Sequence, residues 1–181
     1  MERLQRDAVI LSLVENMEKE GSWCGETHIQ KACYLLEELF GEALGFEFIL
    51  YKHGPYSFDL SDELTSMRAD NILEIRTKVP SYGPTLLPAG NSQLIKDMYP
   101  KTLAKFEPKV KFIAEKVGPN GVAALEKLST ALYVTYREDT DGSIEARSKL
   151  INKLKPHVTI EEAREAIKTI DNIIEEASGV Q

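Results

Sequence analysis

The fold is decided by residues 29–64, which read IQKACYLLEELF (29–40), FEFILYKHGPYS (46–57) and FDLSDEL (58–64) around a glycine-bounded turn. In the first segment, apolar residues recur every three or four positions from Ile29 to Phe40, which is typical of an amphipathic helix. Thr27 is expected to cap the start of this helix, and Gly41 is expected to end it.

A strand and a corner follow this helix. In residues 46–51, Phe46, Phe48 and Leu50 alternate with Glu47, Ile49 and Tyr51. This pattern predicts a strand that is packed on one side. The His-Gly-Pro-Tyr-Ser sequence at 53–57 predicts a turn into a third helix, with Ser57 placed to cap that helix. Helix, strand, corner and helix therefore form one compact unit with a signal at each boundary.

The same stretch resembles the SocA/Panacea antitoxin-like superfamily, including its YwgA-type branch. Gln30-Lys31, followed by Tyr34 and Leu35-Leu36, is similar to the opening helix of that group. Residues 51–57 resemble its Y-x-x-G-P-Y/V signature, and the similarity extends over residues 4–88. The resemblance implies a winged-helix-like domain without catalytic activity, in a group whose members include toxin-neutralising proteins and a proteolysis adaptor.

The remaining patterns predict an α+β fold that is mostly α. Residues 3–19 have helical spacing, and residues 72–87 predict a small β-hairpin in the position of a wing. We therefore expect a winged-helix-like N-terminal module at 1–88 and a helical extension packed on it at 91–181. Within the extension, Pro108 predicts either a kinked helix or two abutting helices.

The charge is distributed unevenly along the chain, whose net charge is −7. Residues 1–90 carry 15 acidic and 8 basic residues, whereas residues 91–181 carry 14 of each. All the excess acid therefore lies on the half with the winged-helix pattern. DNA-binding modules neutralise phosphates with basic residues, so this asymmetry disfavours nucleic acid as the main partner.

The composition predicts a cytoplasmic protein with reduced thiols. No apolar run approaches the ~20 residues of a membrane helix, and the N-terminus lacks the layout of a signal peptide. Two cysteines in 181 residues do not make a disulfide framework. We expect no membrane association and no cofactor.

Two groups of residues could suggest chemistry, and a structural interpretation is favoured for each. Cys24, His28 and Cys33, with His53 as a fourth residue, lack the tight Cys-x₂-Cys pairs of zinc sites, so no metal is expected. His53 as a base with Ser57 as nucleophile would make a hydrolase. No nucleophile elbow surrounds Ser57, however, and a fixed corner with a capping serine explains both residues.

Two further motifs are excluded by their spacing. Asp139, Asp141 and Gly142 do not fit the twelve-residue calcium loop, so they predict a turn. The sequence also contains neither of the glycine-rich phosphate-binding motifs that mark nucleotide sites.

The function that we expect is a non-enzymatic regulatory or protein-interaction role, resembling antitoxin and adaptor domains. A DNA-binding winged-helix regulator is the second interpretation, and a hydrolase is a distant third. A homodimer is left open. The structural corner is Gly54, Pro55 and Ser57, and the partner surface combines the third helix, the corner and the wing. The predicted partner-binding residues are Tyr51, His53, Tyr56, Asp59, Asp62, Glu63 and Tyr82.

Overall fold

The computed structural model describes residues 1–41, 44–79, 83–137 and 141–180. Its first helix, α1, spans Arg3–Lys19, as the spacing predicts, and the chain leaves it through Gly21 at φ +83°. The Ser22 N–H donates to the Met17 carbonyl at 3.0 Å, which gives the bond pattern of a glycine-terminated helix.

The second helix, α2 (Glu26–Phe40), ends at Gly41 in the left-handed conformation, as predicted. The prediction that Thr27 caps its start is wrong, because Thr27 lies inside the first turn and Gly25 occupies the N-cap. Cys24 has a φ of +52°, and an extended Gly25 follows it, so the helix begins two residues earlier than expected.

The chain continues with ten further elements in the described residues, which confirm a mostly helical α+β fold. They are β1 (Ile49–Tyr51), β2 (Gly54–Tyr56), α3 (Phe58–Ala69), β3 (Leu73–Arg76), β4 (Thr85–Pro88), α4 (Ser92–Met98), α5 (Pro100–Val117), α6 (Val122–Arg137), α7 (Ile144–Leu154) and α8 (Ile160–Ala177).

The strands form two separate antiparallel hairpins. In the first, β1 pairs with β2, with Tyr51 opposite Gly54. In the second, β3 pairs with β4, which confirms the hairpin predicted at 72–87. Residues 80–82, which include Tyr82, lie outside the described residues.

The hydrophobic core is continuous across both halves of the chain. Helix α1 packs along α5, and α2 contacts α5, α6, α3 and β2. A single cluster of buried residues contains Leu11 and Leu36 from the first half and Ile113, Leu132 and Ile167 from the second. The N-terminal helices are therefore buried by the helices that follow residue 91.

The second half is made of helices whose ends follow local signals. Helix α5 runs as one element through Pro108, so the alternative of two abutting helices is wrong. A Cβ at Gly118 would lie 2.6 Å from the Glu20 Cβ, so the glycine lets the end of α5 approach the end of α1. Thr159 and Glu162 form a capping box at the start of α8.

None of the helices in the described ranges is both long enough and apolar enough to cross a bilayer.

Candidate partner-binding surface

The site is built around the β1–β2 hairpin. Lys52 and His53 form its turn, and Gly54–Tyr56 is a strand, where the sequence predicted a turn running from 53 to 57. Gly54 has a φ of +86°, and a Cβ there would lie 3.0 Å from the Ser129 hydroxyl of α6. The glycine is thus required twice, for its backbone conformation and for the close approach of the hairpin to α6.

Two buried polar side chains of α2 hold the second strand of the hairpin. The Gln30 amide donates to the Ser57 carbonyl at 2.8 Å and accepts from the Ser57 N–H at 2.9 Å. The Lys31 ammonium donates to the Pro55 carbonyl at 2.7 Å, and Lys31 is only 1% exposed. These bonds satisfy main-chain groups that would otherwise be buried without partners.

Burial lowers the pKa of Lys31 to about 8. The main cause is desolvation, which disfavours the charged ammonium. The carboxylate of Glu126 acts in the opposite direction, and the ammonium of Lys155 lowers the pKa further. Lys31 therefore remains largely charged at neutral pH, close to the point where it loses its proton.

A second lysine holds the first strand and the turn. The Lys155 ammonium, which follows α7, donates to the carbonyls of Tyr51 and Lys52 at 2.5 and 2.6 Å. Burial lowers the pKa of Lys155, while Glu126, with its Oε1 3.8 Å from the ammonium, raises it. Both strands of the hairpin thus rest on buried ammonium groups that arrive from distant parts of the chain.

Glu126 of α6 places a negative carboxylate next to the Lys155 ammonium that holds the hairpin. Its Oε2 lies 3.4 Å from Nδ1 of His53. Nε2 of His157 lies 3.2 Å from Oε1 of Glu126, but the geometry of this contact is not that of a hydrogen bond. The predicted partner-binding residue His53 is largely exposed, and its inner edge contacts this buried carboxylate.

The outer side of the hairpin carries an aromatic cluster formed by Tyr51, Tyr56 and Phe58. The ring centroids lie 5.9 Å apart for Tyr51 and Tyr56, 5.7 Å for Tyr51 and Phe58, and 5.2 Å for Tyr56 and Phe58. Tyr51 is 53% exposed and Phe58 is 56% exposed. Large apolar rings that are mutually packed yet face solvent are characteristic of interaction surfaces.

Tyr56 is half-buried within this cluster and is fixed through its hydroxyl. The hydroxyl donates to Glu26 Oε1 at 2.9 Å, and the Ser61 hydroxyl donates to the same oxygen at 2.8 Å. One carboxylate of α2 thereby joins the hairpin to α3. The aromatic cluster is held by hydrogen bonds on one side and by ring packing on the other.

The structure brings together most of the predicted partner-binding residues, with two exceptions. Asp59 and Asp62 are exposed on α3, next to the aromatic cluster in sequence. Glu63, by contrast, is buried and pairs with Arg3 and Arg6 of α1, so it holds α3 to α1 and does not reach this surface. Tyr82 lies outside the described residues.

Phe58 is the surface residue that the sequence analysis missed. Its position gives a usable signal, because it lies two residues before Leu60 and so on the opposite side of α3 from the buried Leu60, Leu64 and Met67. No local signal could have identified Glu126 or Lys155, which reach the hairpin only through the packing of α6 and α7.

The residues of the hydrolase interpretation have separate roles. The buried Ser57 hydroxyl accepts from the Leu60 N–H at 3.3 Å and caps α3, as predicted. His53 contacts Glu126 instead. Each side chain is thus accounted for by a contact that stabilises the corner.

The candidate metal ligands are likewise dispersed. In the part of the chain that the structure describes, no group of three or more His, Cys, Asp or Glu residues is arranged to hold a metal ion. Cys24 and Cys33 are buried, and burial raises the pKa of both thiols, that of Cys24 to about 11. Thiols of this kind stay protonated and pack as small apolar groups.

Comparison with known proteins finds no family model and no curated protein that matches this chain.

Proposed function

We propose that the protein is a non-enzymatic regulatory or adaptor protein that binds a protein partner through the aromatic cluster. The interface would extend from the β1–β2 hairpin along α3, with the β3–β4 hairpin serving as the wing of a winged-helix-like module. The observation that carries the proposal is the group of solvent-facing rings of Tyr51, Tyr56 and Phe58, fixed on a buried polar base.

The rigidity of the hairpin favours binding. Lys31, Lys155 and Gln30 hold its main chain, so little conformational entropy would be lost when a partner docks. Tyrosine and phenylalanine provide a large contact area with few rotatable bonds, which is why aromatic residues are enriched where binding energy concentrates.

The charge beside the cluster indicates the chemistry of the partner. Asp59 and Asp62 are exposed on the first turns of α3, so a basic partner surface would complement this edge. The resemblance to antitoxin and adaptor domains in residues 30–57 agrees with a protein partner, since the toxin-neutralising members and the proteolysis adaptor of that group act by binding other proteins.

The polar groups of the corner support a role without catalysis. Gln30, Lys31 and Ser57 all bond to main-chain groups, and these bonds account for their burial. An enzyme would need a nucleophile or base that faces an open site in a reactive state.

The experiment compares proteins captured from cells by the tagged parent and by single variants, using quantitative mass spectrometry. A partner of this surface is lost with Tyr51→Ala and with Phe58→Ala, and is retained with Leu94→Ala. Leu94 is a matched control because it is 60% exposed on α4.

Direct titration of the purified partner then measures the loss of affinity. Each truncation at the cluster is expected to weaken binding by about 2 kcal/mol, the level of an interface hot spot. The proposal fails if every captured protein binds equally to the parent, Tyr51→Ala and Phe58→Ala.

A further inference from the structure

Two adjoining cavities lie at the start of α2, around the chain's single tryptophan. Their volumes are about 320 and 260 Å³. Both are lined by Trp23 and His28, so the indole and the imidazole stand between them. Together they are in the size range of a small-metabolite site.

The start of α2 forms one wall of the smaller cavity. Gly25, Glu26, Thr27 and His28 all line it. The N-cap Gly25 has no side chain, and no side-chain cap bonds to the first turn. The first N–H groups of a helix have no partners within the helix and carry a partial positive charge, so this wall favours an anion.

The start of α6 borders the same space. The Leu125 N–H donates to the Gly121 carbonyl at 3.0 Å, so the helix begins behind a second glycine. Gly121 lines the larger cavity and Val122 the smaller one. The starts of two helices, each preceded by a glycine, therefore border these cavities.

His28 is the independent observation that points to a ligand. The residue is 3% exposed, and within the described residues its Nδ1 has no hydrogen-bond partner. This nitrogen faces the N-cap, since it lies 3.6 Å from the position that a Cβ at Gly25 would take. A buried polar atom without a partner is rare in folded proteins, and a ligand atom entering beside Gly25 would supply one.

We propose that Trp23, His28 and the starts of α2 and α6 form a binding site for a small molecule carrying a phosphate or carboxylate group. The anion would accept hydrogen bonds from the first N–H groups of the two helices, as anions do at other helix N-termini. The planar indole would pack against the rest of the molecule. Tyr51, Tyr56 and Phe58 line neither cavity, and the proposal does not depend on the proposed protein partner.

The nearby charges are compatible with this assignment. The negative carboxylate of Glu26 is turned toward α3, where it accepts from Tyr56 and Ser61. The ammonium of Lys78 lies 6.0 Å from the centre of the Trp23 ring and 3.6 Å from Glu18. Burial lowers the pKa of His28, so its neutral ring can donate one hydrogen bond at neutral pH.

The single tryptophan allows a direct test, because all indole fluorescence comes from this site. Sodium phosphate and sodium acetate are titrated separately into the intact protein at constant ionic strength, with sodium chloride as the reference. We expect a saturable change in Trp23 emission and a matching rise in Tm with one of the two anions. The anion that acts identifies the group that the natural ligand carries.

Two variants and a control show where the anion binds. His28→Phe fills the space of the imidazole but has no polar atom. It should weaken anion binding about tenfold, which corresponds to the loss of one hydrogen bond to a charged group. Gly25→Ala should weaken binding, since its Cβ would lie 3.6 Å from His28 Nδ1, in the space that the anion would enter. His157→Phe replaces an imidazole outside both cavities and should bind like the parent.

The proposal is overturned if neither anion changes the emission or the Tm of the parent in a saturable way. It is also overturned if His28→Phe and Gly25→Ala respond as the parent does. Gly25 has a φ of −71°, which alanine adopts without strain, so at least one variant tests the site in a folded protein.

Discussion

Lys31 shows at the residue scale how the hairpin depends on a buried charge. An ammonium placed in the interior costs free energy, and here the cost is offset by the bond to the Pro55 carbonyl and by the carboxylate of Glu126. Because the folded pKa is about 8 and the ordinary value is 10.5, the protonation of this one residue affects stability at mildly alkaline pH.

We predict that the stability of the parent relative to Lys31→Met increases from pH 8 to pH 10.5. In this window the unfolded chain still holds the Lys31 proton that the folded chain has released, so rising pH favours the folded state. Over this pH range, the stability difference between the two proteins is expected to change by about 3 kcal/mol. Urea unfolding of both proteins across this range measures it, and the buried thiols and Tyr34 contribute equally to both. Parallel curves would mean that the Lys31 pKa is not lowered.

Gly54 is the second residue that a single substitution can test. Gly54→Ala should destabilise the protein by about 1–3 kcal/mol, because it adds a Cβ at positive φ and close to the Ser129 hydroxyl. Gly83→Ala is the matched control, since a Cβ there meets nothing within 4 Å. Thermal melts compare the two, with Ser57→Ala expected to cost about 1 kcal/mol through its lost cap. Equal melting of Gly54→Ala and Gly83→Ala would contradict the close approach.

At the scale of elements, α3 combines a buried face and an acidic outer face. Leu60, Leu64 and Met67 are buried, while Asp59 and Asp62 face solvent. Glu63 lies beside the apolar stripe and pairs with Arg6 of α1. Asp7 of α1 is buried next to Glu63, and this burial raises the pKa of Asp7. An acidic outer face is unsuited to the phosphate backbone of DNA.

We therefore predict that the protein forms no sequence-specific complex with duplex DNA at physiological salt. A gel shift against a randomised duplex library tests this. A complex at or below the ~10⁻⁸ M typical of regulators would revive the DNA-binding interpretation. Basic residues are available at 96–116, although Lys96 pairs with Glu15 and Lys116 with Glu176.

At the scale of the whole molecule, the two predicted units share one core. The buried sides of α1 and α2 rest on α5 and α6, and the β1–β2 hairpin rests on α6 and Lys155. The helical second half thus supplies both the packing of the first half and the base of the aromatic cluster.

We predict that residues 1–90 alone do not fold, because the apolar surfaces that α5 and α6 cover would be left in water. The full chain should unfold in one cooperative transition. Circular dichroism and urea titration of the 1–90 fragment and of the full chain measure this. A cooperative transition in the 1–90 fragment would instead establish the N-terminal module as an independent domain.

The sequence by itself determined several local features of the structure. The apolar spacing of 3–19 and 29–40, the capping serine at Ser57 and the capping box at Thr159 all act within a few residues, so each could be predicted without the fold. The β3–β4 hairpin followed from a similar short-range pattern of alternating residues.

The tertiary structure alone decided what holds the candidate site and which residues reach its surface. Glu126 and Lys155 meet the hairpin across more than 70 and 100 residues of chain, and nothing in their own neighbourhoods indicates this role. Glu63 is acidic and helical like Asp59 and Asp62, yet a contact with Arg6 buries it. The physical reason is that the burial of a polar group depends on partners brought by packing, and sequence spacing encodes only the partners that lie close along the chain.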